Sequence, residues 1–169
     1  CLSVCLPVCL FLFSSPATAG TTYSLNGQLT AWFPNKPIGQ QVPHGEEGRA
    51  SQLFLSEDRR TSIIYFGGHT VGRKFTNEGG YSLRAYVDGI AETTPGTVIS
   101  YRRTTVDGYD SAMFTIYMPS QGLTTAWIYG VASFAHGQFL VWGVKEVVGM
   151  TTESARDMFK RYYRYYSIS

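Results

Sequence analysis

The chain has 169 residues, of which 15% are aromatic and 15% charged, with a formal net charge of +2. So small a charge gives no argument for a polyanionic partner. The length fits one ordinary domain behind a short leader.

The opening CLSVCLPVCLFLFSSPATAG carries no charge; it is apolar through Phe13 and then turns to small residues ending in Ala17-Thr18-Ala19. That is an h-region followed by an A-x-A signal-peptidase site. Residues 1–19 are therefore expected to be a signal peptide, residues 20–169 a single α+β domain, and the protein exported, to a periplasmic, lumenal or extracellular compartment. Pro7 and the Ser14-Ser15-Pro16 break leave the stretch short of the roughly 20 apolar residues that a transmembrane span needs, so no span is expected in the mature form. A lipoprotein signal with Cys9 as the lipidated residue is the weaker rival, because Val8 stands where a small residue is wanted. The missing basic n-region and initiator Met read as a truncated start. All three cysteines (Cys1, Cys5, Cys9) fall in the leader. The mature domain is thus expected to lack disulfides, thiol nucleophiles and thiolate metal ligands. Its stability would come from the core, where each buried aromatic removes roughly 150–250 Å² from water.

In chain order, QLTAWFP (28–34) reads as a short strand stopped by Pro34, and NKP after it forces an extended exit. Residues 35–49, with two further prolines and three glycines, read as a long surface loop. ASQLFLS and TSIIYFGG are β-rich runs flanking EDRR, hence a hairpin, and GGHTVGRKFTNEGG reads as a connector. In YSLRAYVDGIAET, Leu83, Tyr86, Val87 and Ile90 fall at i, i+3, i+4, i+7, which predicts an amphipathic helix with one buried stripe. Gly89 weakens it by roughly 1 kcal/mol against Ala. TVISYRRTTV and YDSAMFTIYMP face each other across Asp107-Gly108, a dipeptide suited to a two-residue turn with φ > 0. TTAWIYGVASFA and QFLVWGVKEVV pair across His136-Gly137 in the same way. These last runs are apolar on both alternations, which places the hairpin mid-sheet with both faces covered. Thr151 or Thr152 is expected to cap a final helix with Glu153 in its first turn. There Ala155, Met158, Phe159, Tyr162 and Tyr166 form an inward stripe, while Arg156, Lys160 and Arg164 at i, i+4, i+8 form an outward one. Asp157 and Arg161 are spaced to pair. The sum is an antiparallel sheet of about six to seven strands carrying one helix mid-chain and one at the C-terminus.

This order of elements resembles the PsbP/Mog1-like superfamily, including its exported bacterial relatives. The shared features are a first strand closing on WFPNKP, a hairpin, an amphipathic helix, the strand pair VDGYDSAMFTIY, the long apolar hairpin AWIYGVASFAHGQFLVWGV, and a terminal helix carrying a Phe. The likeness covers roughly residues 24 to 168. The ending MFKRYYRYYSIS departs from the family's phenylalanine-serine-phenylalanine-like close. The resemblance implies an α/β/α-type sandwich and a non-catalytic accessory or binding role at an envelope or lumenal face. It supplies no catalytic residues.

Candidate chemistry is sparse. His44, Glu46 and Glu47 in PHGEEG suit a divalent ion by type, but a Gly-flanked loop reads first as solvated. His69 and His136 would complete such a site only if the fold converges them; beside Gly, each reads as a turn residue. GGHTVGRK has the Gly spacing of a phosphate loop but not its Lys-Ser/Thr close. GVASF lacks the second Gly of a nucleophile elbow. Glu57-Asp58 and Asp107-Asp110 sit at hairpin turns, where Asp serves the backbone. Of the basic clusters Arg59-Arg60, Arg102-Arg103 and the terminal stripe, the last interleaves with Tyr as a single-strand binder would, but helical spacing turns those rings inward. No cofactor, metal or nucleic acid is expected. The expected function is an exported, non-enzymatic accessory domain contacting a protein partner of the envelope through Arg156, Lys160 and Arg164. The rival is a secreted hydrolase or metal-dependent enzyme using His44, His69 or His136 with Glu46 or Glu47.

Overall fold

The structure is a computed structural model and describes residues 20–25, 27–43, 49–56, 62–70, 82–119, 127–146 and 154–169. The predicted signal peptide, the EDRR turn with Arg59-Arg60, and residues 44–48 lie outside these. The chain starts with β1 (Thr21–Leu25) and β2 (Leu29–Phe33), followed by β3 (Ile38–Pro43), β4 (Arg49–Leu55) and β5 (Ser62–Thr70). Helix α1 (Leu83–Thr93) leads into β6 (Thr97–Val106), β7 (Tyr109–Tyr117), β8 (Trp127–Ala135) and β9 (Gln138–Glu146). Helix α2 (Ala155–Tyr162), a 3-10 turn (Tyr163–Tyr165) and β10 (Ser167–Ile168) close the chain.

β3 to β9 form a seven-stranded sheet in the order β3-β4-β5-β9-β8-β7-β6, antiparallel at every pairing. β1, β2 and β10 form a second, three-stranded antiparallel sheet. The predicted turns are as the dipeptides require: Asp107 and Gly108 have φ of 50° and 85°, and His136 and Gly137 of 53° and 72°. Such primed turns match the right-handed strand twist, and they fix the β6–β7 and β8–β9 registers.

Alternation along the two central strands feeds two cores. On one face Phe139 and Val141 of β9 join Ala112, Phe114 and Ile116 of β7 beneath Leu83, Val87 and Ala91 of α1. On the other, Leu140, Trp142 and Val144 pack with Val131 and Ala135 beneath α2 and the small sheet, which contributes Leu29, Ala31, Trp32 and Phe33. The predicted coverage of both faces follows, in a three-layer arrangement.

Two expectations need correction. The loop read over 35–49 contains a strand, β3 at Ile38–Pro43, despite its proline: Pro43 sits at the strand's end on the sheet's edge, where a missing N–H costs least. The connector read from Gly67 begins later, because β5 runs on to Thr70 with Gly67 and Gly68 still in register opposite Leu140 and Phe139.

Candidate functional site

The C-terminal segment is built from its own cap. Ser154, rather than Thr151 or Thr152, starts α2: its hydroxyl oxygen accepts the Asp157 N–H at 3.2 Å and its O–H donates to the Asp157 carboxylate at 2.8 Å. The first of these bonds is the N-cap proper, and the second holds Asp157 in the first turn, at the positive end of the helix dipole; Glu153 lies outside the described residues. Lys160 and Arg161 occupy the last turn, where the dipole favours cations.

The aromatic stripe points inward as predicted. Ala155 and Met158 are buried, Phe159 stacks on Trp142 with ring centroids 5.6 Å apart, and Tyr162 stacks on Trp32 at 3.5 Å. Tyr166 is also buried, but α2 ends at Tyr162 and Tyr166 enters by extended chain rather than as the third turn of a stripe. Its hydroxyl lies 3.0 Å from the Ser133 hydroxyl and 3.2 Å from the Leu140 carbonyl. Ser133 is 2.7 Å from Ser111, which donates to the Tyr109 carbonyl at 3.0 Å. These buried hydroxyls form a satisfied chain. Ser133, the serine of GVASF, is therefore structural. The Trp142 indole N–H donates to the Trp32 carbonyl at 3.0 Å and ties the small sheet to the large one.

Arg156, Lys160 and Arg164 are all exposed. Arg156 and Lys160 lie one turn apart on α2, but Arg164 belongs to the 3-10 turn, where three residues rather than 3.6 complete a turn; the stripe therefore bends at Tyr163. The Arg164 guanidinium sits 4.9 Å from the Tyr165 ring centroid and donates to that hydroxyl at 3.0 Å. Arg161 lies 5.8 Å from the Tyr162 ring. Burial holds the Tyr163 hydroxyl above the ordinary phenol range, with Arg102 opposing and Asp107 adding to the shift. Tyr129 is raised chiefly by burial and then by Glu146, with Arg156 opposing the shift. Beside this face lies a cleft of about 340 Å³ lined by Gly20, Thr21, Thr22, Trp32, Tyr162 and Tyr165.

The histidines fare differently. His69 is a strand residue of β5, paired with Ala50, and not a turn residue. His136 is in the β8–β9 turn, its Nε2 2.6 Å from the Ser169 carbonyl oxygen and 3.4 Å from the Tyr109 hydroxyl. The Gly68–Phe139 pairing brings the backbone of His69 to the end of the sheet that carries the His136 turn. His44, Glu46 and Glu47 lie outside the described residues, among which no group of three His, Cys, Asp or Glu side chains could hold a metal ion. Nor is any described helix long and apolar enough to cross a membrane.

Sequence reading missed a second cleft, of about 260 Å³, between α1 and β6, lined by Ser82, Leu83, Arg84, Tyr101, Arg103 and Asp110. Its cations have partners: Arg84 pairs with Asp88 at 2.9 Å and Arg103 with Asp110 at 2.7 Å. The i, i+4 spacing of Arg84 and Asp88 was the available signal. The Arg102-Arg103 cluster is split by strand alternation, Arg102 turning instead to the Met113 sulfur at 3.3 Å.

No family model matches the chain, and no curated protein matches it. Among solved structures, the solution structure of cyanobacterial PsbP (CyanoP) from Synechocystis sp. PCC 6803 superposes with a TM-score of 0.61 at 10% identity, over 92% of this chain and 96% of that one. At that identity the likeness concerns the fold, and the fold of this chain is PsbP-like.

Proposed function

We propose that the protein is an exported, non-catalytic accessory domain that contributes to an envelope or lumenal assembly by binding a protein partner through Arg156, Lys160 and Arg164. The observation that carries the reading is the division of the C-terminal segment: Phe159, Tyr162, Tyr163 and Tyr166 pack against the core, whereas Arg156, Lys160 and Arg164, with Arg161 beside them, are exposed. The PsbP-like fold supports it by the accessory role that the family resemblance implies. The uncharged leader ending in Ala17-Thr18-Ala19 supports export. Opposite charge on the partner would steer association and respond to salt.

The test is in-cell crosslinking of the tagged protein, with mass spectrometry of what co-purifies from the envelope fraction. Substituting Arg156→Gln, Lys160→Gln and Arg164→Gln together is expected to leave the melting temperature nearly unchanged, since exposed substitutions fall within roughly ±0.5 kcal/mol each, and to weaken capture of the dominant partner. Loss of folding in that variant, or undiminished capture, would remove the surface from consideration.

A further inference from the structure

The cleft beside this basic face has features that the charge argument does not use. Its floor is the Trp32–Tyr162 stack and one wall is Tyr165, which is 38% exposed. A Cβ at position 20 would overlap the Nε1, Cε2 and Cζ2 atoms of the Trp32 indole, so only glycine fits against the ring there. The opposite wall is the start of β1, where Thr21 and Thr22 are exposed. β1 is the edge of its sheet, with β2 on one side and no strand on the other among the described residues. An edge strand presents unpaired N–H and C=O groups to an added extended segment. Two guanidiniums, Arg161 and Arg164, lie on rings that line the cleft. A volume of about 340 Å³ is at the lower end of ligand pockets, which run from roughly 300 to 1,000 Å³, and offers room for one aromatic side chain rather than a large cofactor.

We infer that this cleft receives an aromatic side chain of an extended, acidic segment of the partner protein, laid along the edge of β1. The backbone of β1 supplies strand-type hydrogen bonds, Tyr165 and the Trp32–Tyr162 stack enclose the ring, and Arg164, seated on the Tyr165 ring, faces a flanking carboxylate. Aromatic anchors seated in pockets and ringed by charge are the usual carriers of binding energy. The inference rests on the binding-domain reading above and names the partner's chemistry at the same surface.

The experiment is a titration of the isotope-labelled chain, followed through its indole N–H resonances. The probe is a short peptide with a central phenylalanine between pairs of acidic residues. The Trp32 resonance is expected to move while that of Trp127, which packs against Tyr117 and Tyr129 away from the cleft, stays in place and reports that the fold is intact. Replacing the central phenylalanine by alanine should weaken binding by about tenfold, the loss that follows from removing one buried aromatic group. Tyr165→Ala should do the same. Thr22→Glu, at an exposed wall position, should weaken it severalfold and in a salt-dependent manner. Equal binding of the two peptides, an unmoved Trp32 resonance, or no binding overturns the inference. A larger response to phosphatidylglycerol vesicles than to peptide overturns it in favour of a lipid surface. The triple-charge variant shares only Arg164 with the cleft, and Tyr165 and Thr22 lie outside it, so the peptide titration and the capture experiment separate the two proposals. Peptide binding with undiminished partner capture sinks only the charged surface, and charge-dependent capture with no peptide binding sinks only the cleft.

Discussion

The two faces of the seven-stranded sheet are covered in different ways. On the α1 face, one helix lays an apolar stripe on apolar strand positions, and Ser82 caps it through the Ala85 N–H at 3.1 Å. On the α2 face the cover is assembled from both ends of the chain, β1 and β2 from the start and α2 and β10 from the close. Directed bonds hold it as well as packing. These are the Trp142 indole to the Trp32 carbonyl, the Tyr166–Ser133–Ser111 chain, and the Asp107 carboxylate to the Ile168 N–H at 2.7 Å. A local helix needs only area to dock. A cover built from residues more than a hundred positions apart must also be fixed in register, and buried hydrogen bonds do that because an unmatched polar group is costly.

The sharpest test of this contrast is truncation on each face. Trp142→Ala removes the largest fully buried side chain and leaves the Trp32 carbonyl without its donor; it is expected to cost about 4 kcal/mol in urea unfolding. Leu83→Ala beneath α1 is expected to cost about 2–3 kcal/mol. The reverse order would break the comparison. Also on the α1 face, Gly130 pairs with Phe114 across β7 and β8, and a Cβ at position 130 would overlap the Phe114 ring. Gly130→Ala should therefore cost about 2 kcal/mol through overpacking. Adding Phe114→Leu should recover part of that loss, a coupling that a double-mutant cycle reads directly. Strict additivity would mean that the ring does not occupy the space the glycine leaves.

Smaller effects sharpen the polar half of the contrast. Tyr166→Phe keeps the ring and deletes the hydroxyl that meets Ser133 and Leu140; a loss of about 1–2 kcal/mol is expected, and a neutral outcome would show that packing alone seats the C-terminal strand. The smallest effect is alkaline. Burial raises Tyr129 and Tyr163 on the α2 face and Tyr101 on the α1 face. A tyrosine whose folded-state pKa is raised keeps its proton while the unfolded chain loses it. Its stabilisation is thus complete below the unfolded value near 10 and is lost as pH rises through the folded one. Tyr129→Phe and Tyr163→Phe should together flatten the fall in stability above about pH 10 more than a phenylalanine at position 101 does, as measured by unfolding across that range.

Much of the architecture is legible in the chain. The Leu83, Tyr86, Val87, Ile90 spacing located α1, Asp107-Gly108 and His136-Gly137 located the turns of two hairpins, and the doubly apolar runs of β8 and β9 located the middle of the sheet. Each of these signals is local: a helical period, a dipeptide that tolerates positive φ, or a strand with no polar face. The candidate site was half legible. That the C-terminal rings turn inward and the cations outward follows from helical spacing, but the 3-10 turn that displaces Arg164, the cap at Ser154 and the cleft against β1 do not. The edge strands are the other gap, since β1 and β3 have short, mixed sequences whose extended form is set by the strands beside them.

The sequence by itself determined the α+β class, the order of the hairpins and the helices, and which faces are apolar, because these depend on residues within a turn or two of one another. Only the tertiary structure decided that β1, β2 and β10 leave the main sheet to make a second one, that the two central serines are bonded to a tyrosine at the chain's end, and that Trp32, Tyr162 and Tyr165 meet in a cleft. Those outcomes depend on contacts between residues far apart in the chain, and such pairings are set by the closure of the whole core and not by any local preference.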